Sequence, residues 1–328
     1  MMARRNMGQT KVFRPAPFKR LIALAWLGAA LAACGSGDDD PGEPVAANRA
    51  GHLLVLNADE SIISCEVDGG GEPGVCQMLA PPASTASSGG GGVELDGSRV
   101  YFSDMAEGTI TECRLDDNGE VVDCETSPRQ IVAAPMGKAK LGDYLIVAGN
   151  DDTLGICDMN QTASPDTACV TSTAGGLLSQ PFSVAASRSH FFVSNVREPS
   201  IVSCRLDDQA QAMDCQRFAS EGMFANPTGL TIDGGRLYVT DSGDESIVVC
   251  DVEAAAVSGC EKFTDPVNLR TPMDIAVNGS NAYVANLWGY SVALCELRES
   301  GRISACEALF APGLLTYPGG LVFAPAEN

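Results

Sequence analysis

The chain is poor in aromatic residues (6%), has only two histidines and two tryptophans, and carries 21 Lys and Arg against 42 Asp and Glu. The resulting formal charge of −21 repels phosphate and gives none of the basic footprint that nucleic-acid binding needs, so no nucleic-acid partner is expected. The longest apolar run, Leu21 to Ala33, has 13 residues. At about 1.5 Å per residue it reaches about 20 Å as a helix, short of the roughly 30 Å hydrocarbon core. Long 3.6-period patterns are missing, which excludes helical repeats. No Cys-x-x-Cys pair occurs, which argues against a zinc site. Disorder is excluded as well, because 45% of the residues are hydrophobic and 19% charged, enough to bury a core.

What the sequence does have begins with 13 cysteines, an odd number that asks for one thiol used differently from the rest. The six basic residues of positions 1–33 (Arg4, Arg5, Lys11, Arg14, Lys19 and Arg20) all precede the apolar run, and the segment carries no acid. A basic region, a short apolar stretch and small residues form an export signal. Its end, Leu31-Ala32-Ala33-Cys34-Gly35, resembles the lipobox of bacterial lipoproteins. That resemblance implies lipidation of Cys34 as the first mature residue, and Gly35 in place of Asp implies delivery to the outer membrane, facing the periplasm or the cell surface. Removing residues 1–33 leaves 15 basic and 42 acidic residues, a charge of −27. Such a surface would not adhere to anionic lipid by itself, so the covalent anchor is the expected membrane attachment. Residues 34–50, rich in Gly, Asp and Pro without apolar periodicity, read as a flexible tether.

The other twelve cysteines form six pairs: Cys65 with Cys76, Cys113 with Cys124, Cys157 with Cys169, Cys204 with Cys215, Cys250 with Cys260, and Cys295 with Cys306. Their first members recur at intervals of 44 to 48 residues, the period of a solenoid or a propeller. The surrounding sequence recurs too, as in SIISCEV, TITECRL, SIVSCRL, SIVVCDV and SVALCEL. In the clearest copy an opening strand from Gly229 to Ile232 passes through Asp233-Gly234-Gly235 into a strand from Arg236 to Thr240, a hairpin signal because glycine accepts positive φ. A third strand ending at Cys250 and a fourth holding Cys260 complete the unit. Four antiparallel strands in about 45 residues make a propeller blade. The first copy lacks an opening strand, whereas TYPGGLVFAP at the C-terminus is an opening strand with nothing after it. The two fragments make one blade, which closes the ring and removes an exposed sheet edge. The expectation is an all-β, six-bladed β-propeller over residues 51–328, closed by the C-terminal strand, with one disulfide per blade. Each pair would sit directly opposite across a hairpin at Cα separations of about 4.5 to 5.5 Å, in the oxidising compartment that export implies. With so few aromatic residues, packing between blades is expected to be thin and the disulfides to compensate.

The stretch NPTGLTIDGG followed by LYVTDSGDESIVVCDV resembles NHL-repeat six-bladed propellers, whose units carry a Pro and Gly before the opening strand, an apolar-Tyr-Val strand and an Asp-Ser-Gly turn. The chain departs from them in its GDESI turn and in having a cysteine pair in every blade. The resemblance covers residues 51–328 and implies a fold; propellers carry many unrelated functions.

Alignment of the units places Asn57, Asp104, Gly149, Asn195, Asp241 and Asn286 at the end of the second strand. A ring of such oxygens suits Ca2+, as in lactonases of the gluconolactonase type, but its recurrence in five blades favours the other reading, in which each side chain caps its own turn. The residues expected to line the axis are Gly92, Gly137, Ser183, Gly229, Asp274 and Gly320, of which Asp274 alone is charged. Blade six carries Trp288 and Tyr290 where other blades have small or acidic residues, and blade four carries Arg197. Asp274, Trp288, Tyr290, Asn286, Arg197 and Asp241 are therefore the ligand-binding candidates, the alternative being an Asp paired with a neighbouring blade and a Trp that plugs the channel. His52 and His190 begin second strands in different blades, so no catalytic set forms around them. The leading expectation is a lipid-anchored binding or scaffold module for a protein, glycan or small ligand, with no cofactor. The rival is a Ca2+-dependent, lactonase-like hydrolase using Asp104, Asp241 and Asp274, with Glu94 as the nearest match to the early glutamate of that type.

Overall fold

The computed structural model describes residues 45–59, 61–79, 90–127, 130–159, 169–218, 222–309 and 315–326. The export signal, Cys34 and most of the tether lie outside the described residues. Twenty-four strands form six four-stranded antiparallel sheets. The first blade contains β1 (Gly51–Asn57), β2 (Ile62–Val67) and β3 (Pro73–Leu79). The second contains β4 (Gly90–Asp96), β5 (Arg99–Asp104), β6 (Thr109–Leu115) and β7 (Val121–Thr126). The third contains β8 (Pro135–Leu141), β9 (Tyr144–Gly149), β10 (Thr153–Asp158) and β11 (Cys169–Ser172). The fourth contains β12 (Pro181–Ala186), β13 (Phe191–Asn195), β14 (Ser200–Leu206) and β15 (Ala212–Phe218). The fifth contains β16 (Pro227–Asp233), β17 (Arg236–Asp241), β18 (Ser246–Glu253) and β19 (Ala256–Thr264). The sixth contains β20 (Pro272–Asn278), β21 (Asn281–Asn286), β22 (Ser291–Leu297) and β23 (Ile303–Ala308). The last strand, β24 (Pro318–Pro325), returns to the first blade and pairs with β1 in register from Gly51↔Pro325 to Asn57↔Pro318. The ring is thus closed by the two ends of the repeat, as the incomplete first and last units predict.

All six disulfides form in sequence order, one in each blade. Cys65 is bonded to Cys76, Cys113 to Cys124 and Cys157 to Cys169. Cys204 is bonded to Cys215, Cys250 to Cys260 and Cys295 to Cys306. Their geometry corrects the expected spacing. The Cα separations run from 3.9 Å at Cys157 and Cys169 to 4.2 Å at Cys204 and Cys215, with 4.0 Å at Cys65 and Cys76 and at Cys113 and Cys124. All are shorter than the 4.5 to 5.5 Å of a regular hairpin. Cys157 is directly opposite Cys169 in an unbroken ladder. The other five pairs sit at or beside bulges between the third and fourth strands. In three blades the residue before the second cysteine is left-handed: Asp123 before Cys124, Asp214 before Cys215 and Gly259 before Cys260. That turn bends the outer strand towards its neighbour. The first cysteine is also interior to its third strand and does not end it: β18 runs three residues beyond Cys250. Six disulfide-bonded hairpins belong to an extracytoplasmic protein.

The core is not inside the blades but between them. The described residues form six hydrophobic clusters, and each joins two neighbouring blades. Leu53, Val55 and Ile63 of the first blade pack with Tyr283, Ala285 and Val292 of the sixth. The expectation of thin packing is therefore corrected: Val, Ile, Leu and Ala on both faces of the two inner strands fill the interfaces, each around a buried Tyr or Phe such as Tyr101, Phe102, Phe191, Phe192, Tyr238 or Tyr283. Tyrosines of the second strands add pegs. Tyr238 donates its hydroxyl to Gly301 O of the next blade (3.0 Å), and Tyr283 does the same to Gly71 O (2.7 Å). Both acceptors are left-handed glycines in a turn, where a side chain would collide with the neighbouring blade.

The interface between the second and third blades has the smallest cluster, centred on Tyr101, Leu145 and Val147. Its innermost layer is polar instead, and this is where the axis becomes unusual.

Candidate functional site

The opening strands β4, β8, β12, β16, β20 and β24 surround the axis, and they approach so closely that the expected axial positions need small residues. A Cβ on Gly92 would lie 2.9 Å from Gly137 Cα, one on Gly137 2.7 Å from Ser183 Cα, and one on Gly229 2.5 Å from Asp274 Cα. Where a side chain does occupy this ring, it bonds to the next blade. Ser183 Oγ accepts the Leu230 N–H (3.2 Å), and Asp274 Oδ2 accepts the Leu321 N–H (2.9 Å) while its Oδ1 accepts the Ile275 N–H (2.9 Å). Asp274 is thus paired with a neighbouring blade, the alternative to a ligand-binding role, and it links β20 to the closing strand.

The pairing registers identify two further deviations from the repeat. The residue opposite the middle of the second strand is Val93, Lys138, Val184, Leu230, Ile275 and Leu321 in blades two, three, four, five, six and one. Five are aliphatic; the third blade has a lysine that is 3% exposed. The next position reads Glu94, Ala139, Ala185, Thr231, Ala276 and Val322 in the same order, and only the second blade is charged. Alternation turns Glu94 towards the third blade and Lys138 towards the second. Lys138 Nζ donates to Gly92 O (2.5 Å), and the Lys140 backbone N–H lies near enough to the Glu94 carboxyl to favour its ionised form. Farther along the same two strands Lys140 Nζ pairs with Asp96 Oδ2 at 2.5 Å, an ion pair that joins β4 to β8.

Glu94, Lys138 and Asp274 line one cavity of about 210 Å3 on the axis, walled by Val93, Val184 and Leu230 among others. Burial dominates their titration. It pushes Glu94 up to about 8 against the opposing pull of Lys138, pulls Lys138 down to about 7 against the field of Glu94 and Asp274, and pushes Asp274 up to about 7 against its two backbone N–H bonds. Around neutral pH the cluster therefore exchanges protons readily, a condition common at functional sites. Lys138 is not among the residues that the sequence singles out. Its signal is a lysine in an otherwise aliphatic column, but that column becomes visible only once strand register is known.

The Asx ring at the ends of the second strands serves the loops. Asp241 accepts four backbone N–H groups, from Ala225, Asn226, Gly243 and Asp244. Asn286 accepts the Arg270 N–H and donates to Asn268 O, and Asn57 and Asn195 make corresponding bonds to Thr316 and Ser179. Asp104 accepts the Ala106 and Glu107 N–H groups. Asp241 and Asn286 are fully buried, so neither side chain is presented to a ligand. Among the described residues no group of three or more His, Cys, Asp or Glu side chains converges as metal ligands, and Asp104, Asp241 and Asp274 are not brought together.

Trp288 and Tyr290 lie in the turn between β21 and β22, on the face that also holds the connections between blades. Trp288 is 58% exposed and meets the Tyr317 ring edge-on, with centroids 5.3 Å apart; Tyr290 also packs against Tyr317, tilted, at 4.7 Å. Tyr317 belongs to the segment before β24, so ring closure assembles this aromatic trio. Arg197 lies in the turn between β13 and β14, two blades away, and pairs with Asp152 (3.5 Å). On the opposite face, Asn48 accepts the Ser280 N–H (2.7 Å) and donates to Gly70 O (2.6 Å), while Arg49 N–H reaches Asn278 Oδ1 (2.9 Å). The chain preceding β1 is thereby seated between blades one and six on the face away from the aromatic trio.

No protein-family model matches the sequence, and no curated protein matches it. Solved structures do match in shape. A chain of a nidogen/laminin complex is 18% identical, with 84% of this chain and 99% of that chain covered at a TM-score of 0.66. The periplasmic gluconolactonase PpgL of Pseudomonas aeruginosa is 16% identical, covering 89% and 90% at a TM-score of 0.56. A putative 6-phosphogluconolactonase from Bacteroides uniformis is 16% identical, covering 83% and 84% at 0.51. At these identities the likeness speaks for architecture alone, and it agrees with the strand order and ring closure: the chain is a six-bladed β-propeller.

Proposed function

We propose that this protein is a lipid-anchored, extracytoplasmic binding module whose loop face, centred on Trp288, engages a protein partner. The observation that carries the reading is the exposed Trp288 held against Tyr317 and Tyr290, a rigid aromatic anchor of the kind that dominates binding energy at interfaces. Its position supports the same reading. With the preceding segment seated by Asn48 and Arg49 on the opposite face, a tether running back to a lipidated Cys34 would leave the aromatic face pointing away from the membrane. The nidogen/laminin likeness supplies a precedent for a propeller within a protein complex. A glycan partner is the other occupant that an exposed aromatic trio suits.

The test is in-cell crosslinking of wild type beside Trp288→Ala and Arg197→Ala, with mass spectrometry of the purified protein for acyl chains on Cys34. Wild type is expected to recover a partner that Trp288→Ala loses; identical recoveries from all three proteins would remove the loop face from consideration. A hydrolase of lactonase type has less support, because the carboxylates of Asp104 and Asp241 are committed to their own loops. A stoichiometric divalent ion in the purified protein, together with lactone hydrolysis lost on Asp241→Ala under conditions where that variant remains folded, would reinstate it.

A further inference from the structure

The axial cavity is separate from the loop face and has a chemistry of its own. Its walls combine aliphatic side chains with polar groups, and a propeller axis could be closed with uncharged residues throughout, as four of the six blades demonstrate at both of the positions where blades two and three place Glu94 and Lys138. A lysine and a glutamate in those columns are costly to bury. The Lys138 ammonium uses one N–H on Gly92 O, which leaves two N–H donors towards the cavity. The Glu94 carboxyl has the Lys140 backbone N–H nearby and keeps acceptor capacity. Asp274, by contrast, has one backbone N–H on each oxygen and serves the ring. The space available, about 210 Å3, exceeds by more than tenfold what one water needs, so the cavity holds either several waters or one small organic molecule.

We infer that the axial cavity is a binding site for a small, uncharged, hydroxyl-bearing molecule held between Lys138 and Glu94. Charge decides against the other classes. An anion could pair only with Lys138, whose charge burial disfavours, and a cation would share the cavity with Lys138 and meet two carboxyls whose ionisation burial opposes. An uncharged ligand meets neither obstacle. Hydroxyl groups suit this pair because each both donates and accepts. Glu94, faced by Lys138, Asp274 and Asp96, is an acceptor when ionised and a donor when protonated, and Lys138, faced by Glu94 and Asp274, changes in the opposite sense. A hydroxyl satisfies either state, whereas an ether or a simple amine satisfies only one.

Calorimetric titration of the intact, disulfide-bonded protein with sorbitol tests this, with acetate and tetramethylammonium as charged probes. The expected result is saturable binding of one sorbitol per chain and none of either ion. The double variant Glu94→Ala/Lys138→Val gives blades two and three residues of the kind their neighbours carry, and it is expected to bind at least about tenfold more weakly, the loss due when charge-assisted hydrogen bonds go. Trp288→Ala is expected to bind as wild type does, which separates this site from the loop face. Should the double variant not fold, Lys138→Met is judged by the same tenfold criterion. Absence of saturable binding by wild type, equal affinity in the variant, or preference for either ion would overturn the inference.

Discussion

The Asp274 carboxylate accepts the backbone N–H of Leu321 at 2.9 Å, which ties the first strand of the last blade to the strand that closes the ring. The two ends of the chain meet in the β24–β1 pairing inside blade one, and this contact anchors β24 to blade six beside the packing of blade one on blade six and the Tyr283–Gly71 hydrogen bond. Ser183 makes the equivalent bond to Leu230 at another interface, so the polar side chain is a device of the ring and not of one blade.

Replacing Asp274 with Ala leaves two N–H groups without their acceptor and is expected to cost about 2–3 kcal/mol. Asp274→Ser, which copies Ser183, should restore part of the loss. Urea denaturation of the oxidised proteins measures this; an Ala variant as stable as wild type would dismiss Asp274 as an anchor of the closing strand.

The axial cluster makes stability depend on pH with a definite shape. Glu94 and Asp274 are raised, to about 8 and about 7, and Lys138 is lowered to about 7. Between about pH 4 and 7 the unfolded chain has released two protons that the folded cluster keeps, so the cluster's contribution falls as pH rises. From 7 to 8 the continuing loss from Glu94 is offset by Lys138, which by then is neutral in the folded state only. Above 8 only Lys138 differs, and stability recovers until lysine titrates in the unfolded chain. The variant Glu94→Ala/Lys138→Val/Asp274→Ser is expected to lack this trough. Denaturation at pH 4.5, 7.5 and 10 compares the two proteins, and parallel profiles would refute the assignment.

Asp241→Ala removes two backbone hydrogen bonds from the connection between blades four and five and two from the β17–β18 turn, and is expected to destabilise by about 3 kcal/mol or more. The loss should be the same with Ca2+ or with a chelator present. A melting temperature that rises with Ca2+ in wild type and not in the variant would show that the carboxylate holds a metal.

Trp288→Ala, at a side chain that is mostly exposed, is expected to change stability by no more than about 0.5 kcal/mol. Its effect on partner recovery would then be a binding effect. A large drop in melting temperature would instead make Trp288 a clasp for Tyr317 and the closing segment.

Replacing Cys295 and Cys306 together by Ser is expected to cost about 2–3 kcal/mol on the chain-entropy account, because the bridge closes a loop of about a dozen residues. Non-reducing peptide maps should show only the six pairs within blades.

The blade count, the disulfide pairing and the closing strand were legible because each is a local, repeated statement: a thiol pair across one hairpin, a strand missing at one end and spare at the other. The left-handed turns at Asp123 and Asp214 and the bulges at Cys113 and Cys204 were not, since cysteine spacing does not disclose backbone conformation. The Asx ring was legible in position but ambiguous in role, since a turn cap and a metal ligand use the same side chains. The hydrogen bonds from Asp241 and Asn286 into their loops decide that. Tyr317 escaped notice because nothing in TYPGGLVFAP says that ring closure would carry it to Trp288.

By itself the sequence determined how many blades there are, where each is stapled and how the circle ends, because hydrophobic alternation and cysteine spacing act within about 45 residues. Only the tertiary structure decided what stands at the axis. Glu94 and Lys138 are 44 residues apart in the chain and meet because strand register turns one forward and the other back across a single interface. Register shifted by one residue would send each side chain to the other face of its sheet, and that choice is made by packing against neighbouring blades.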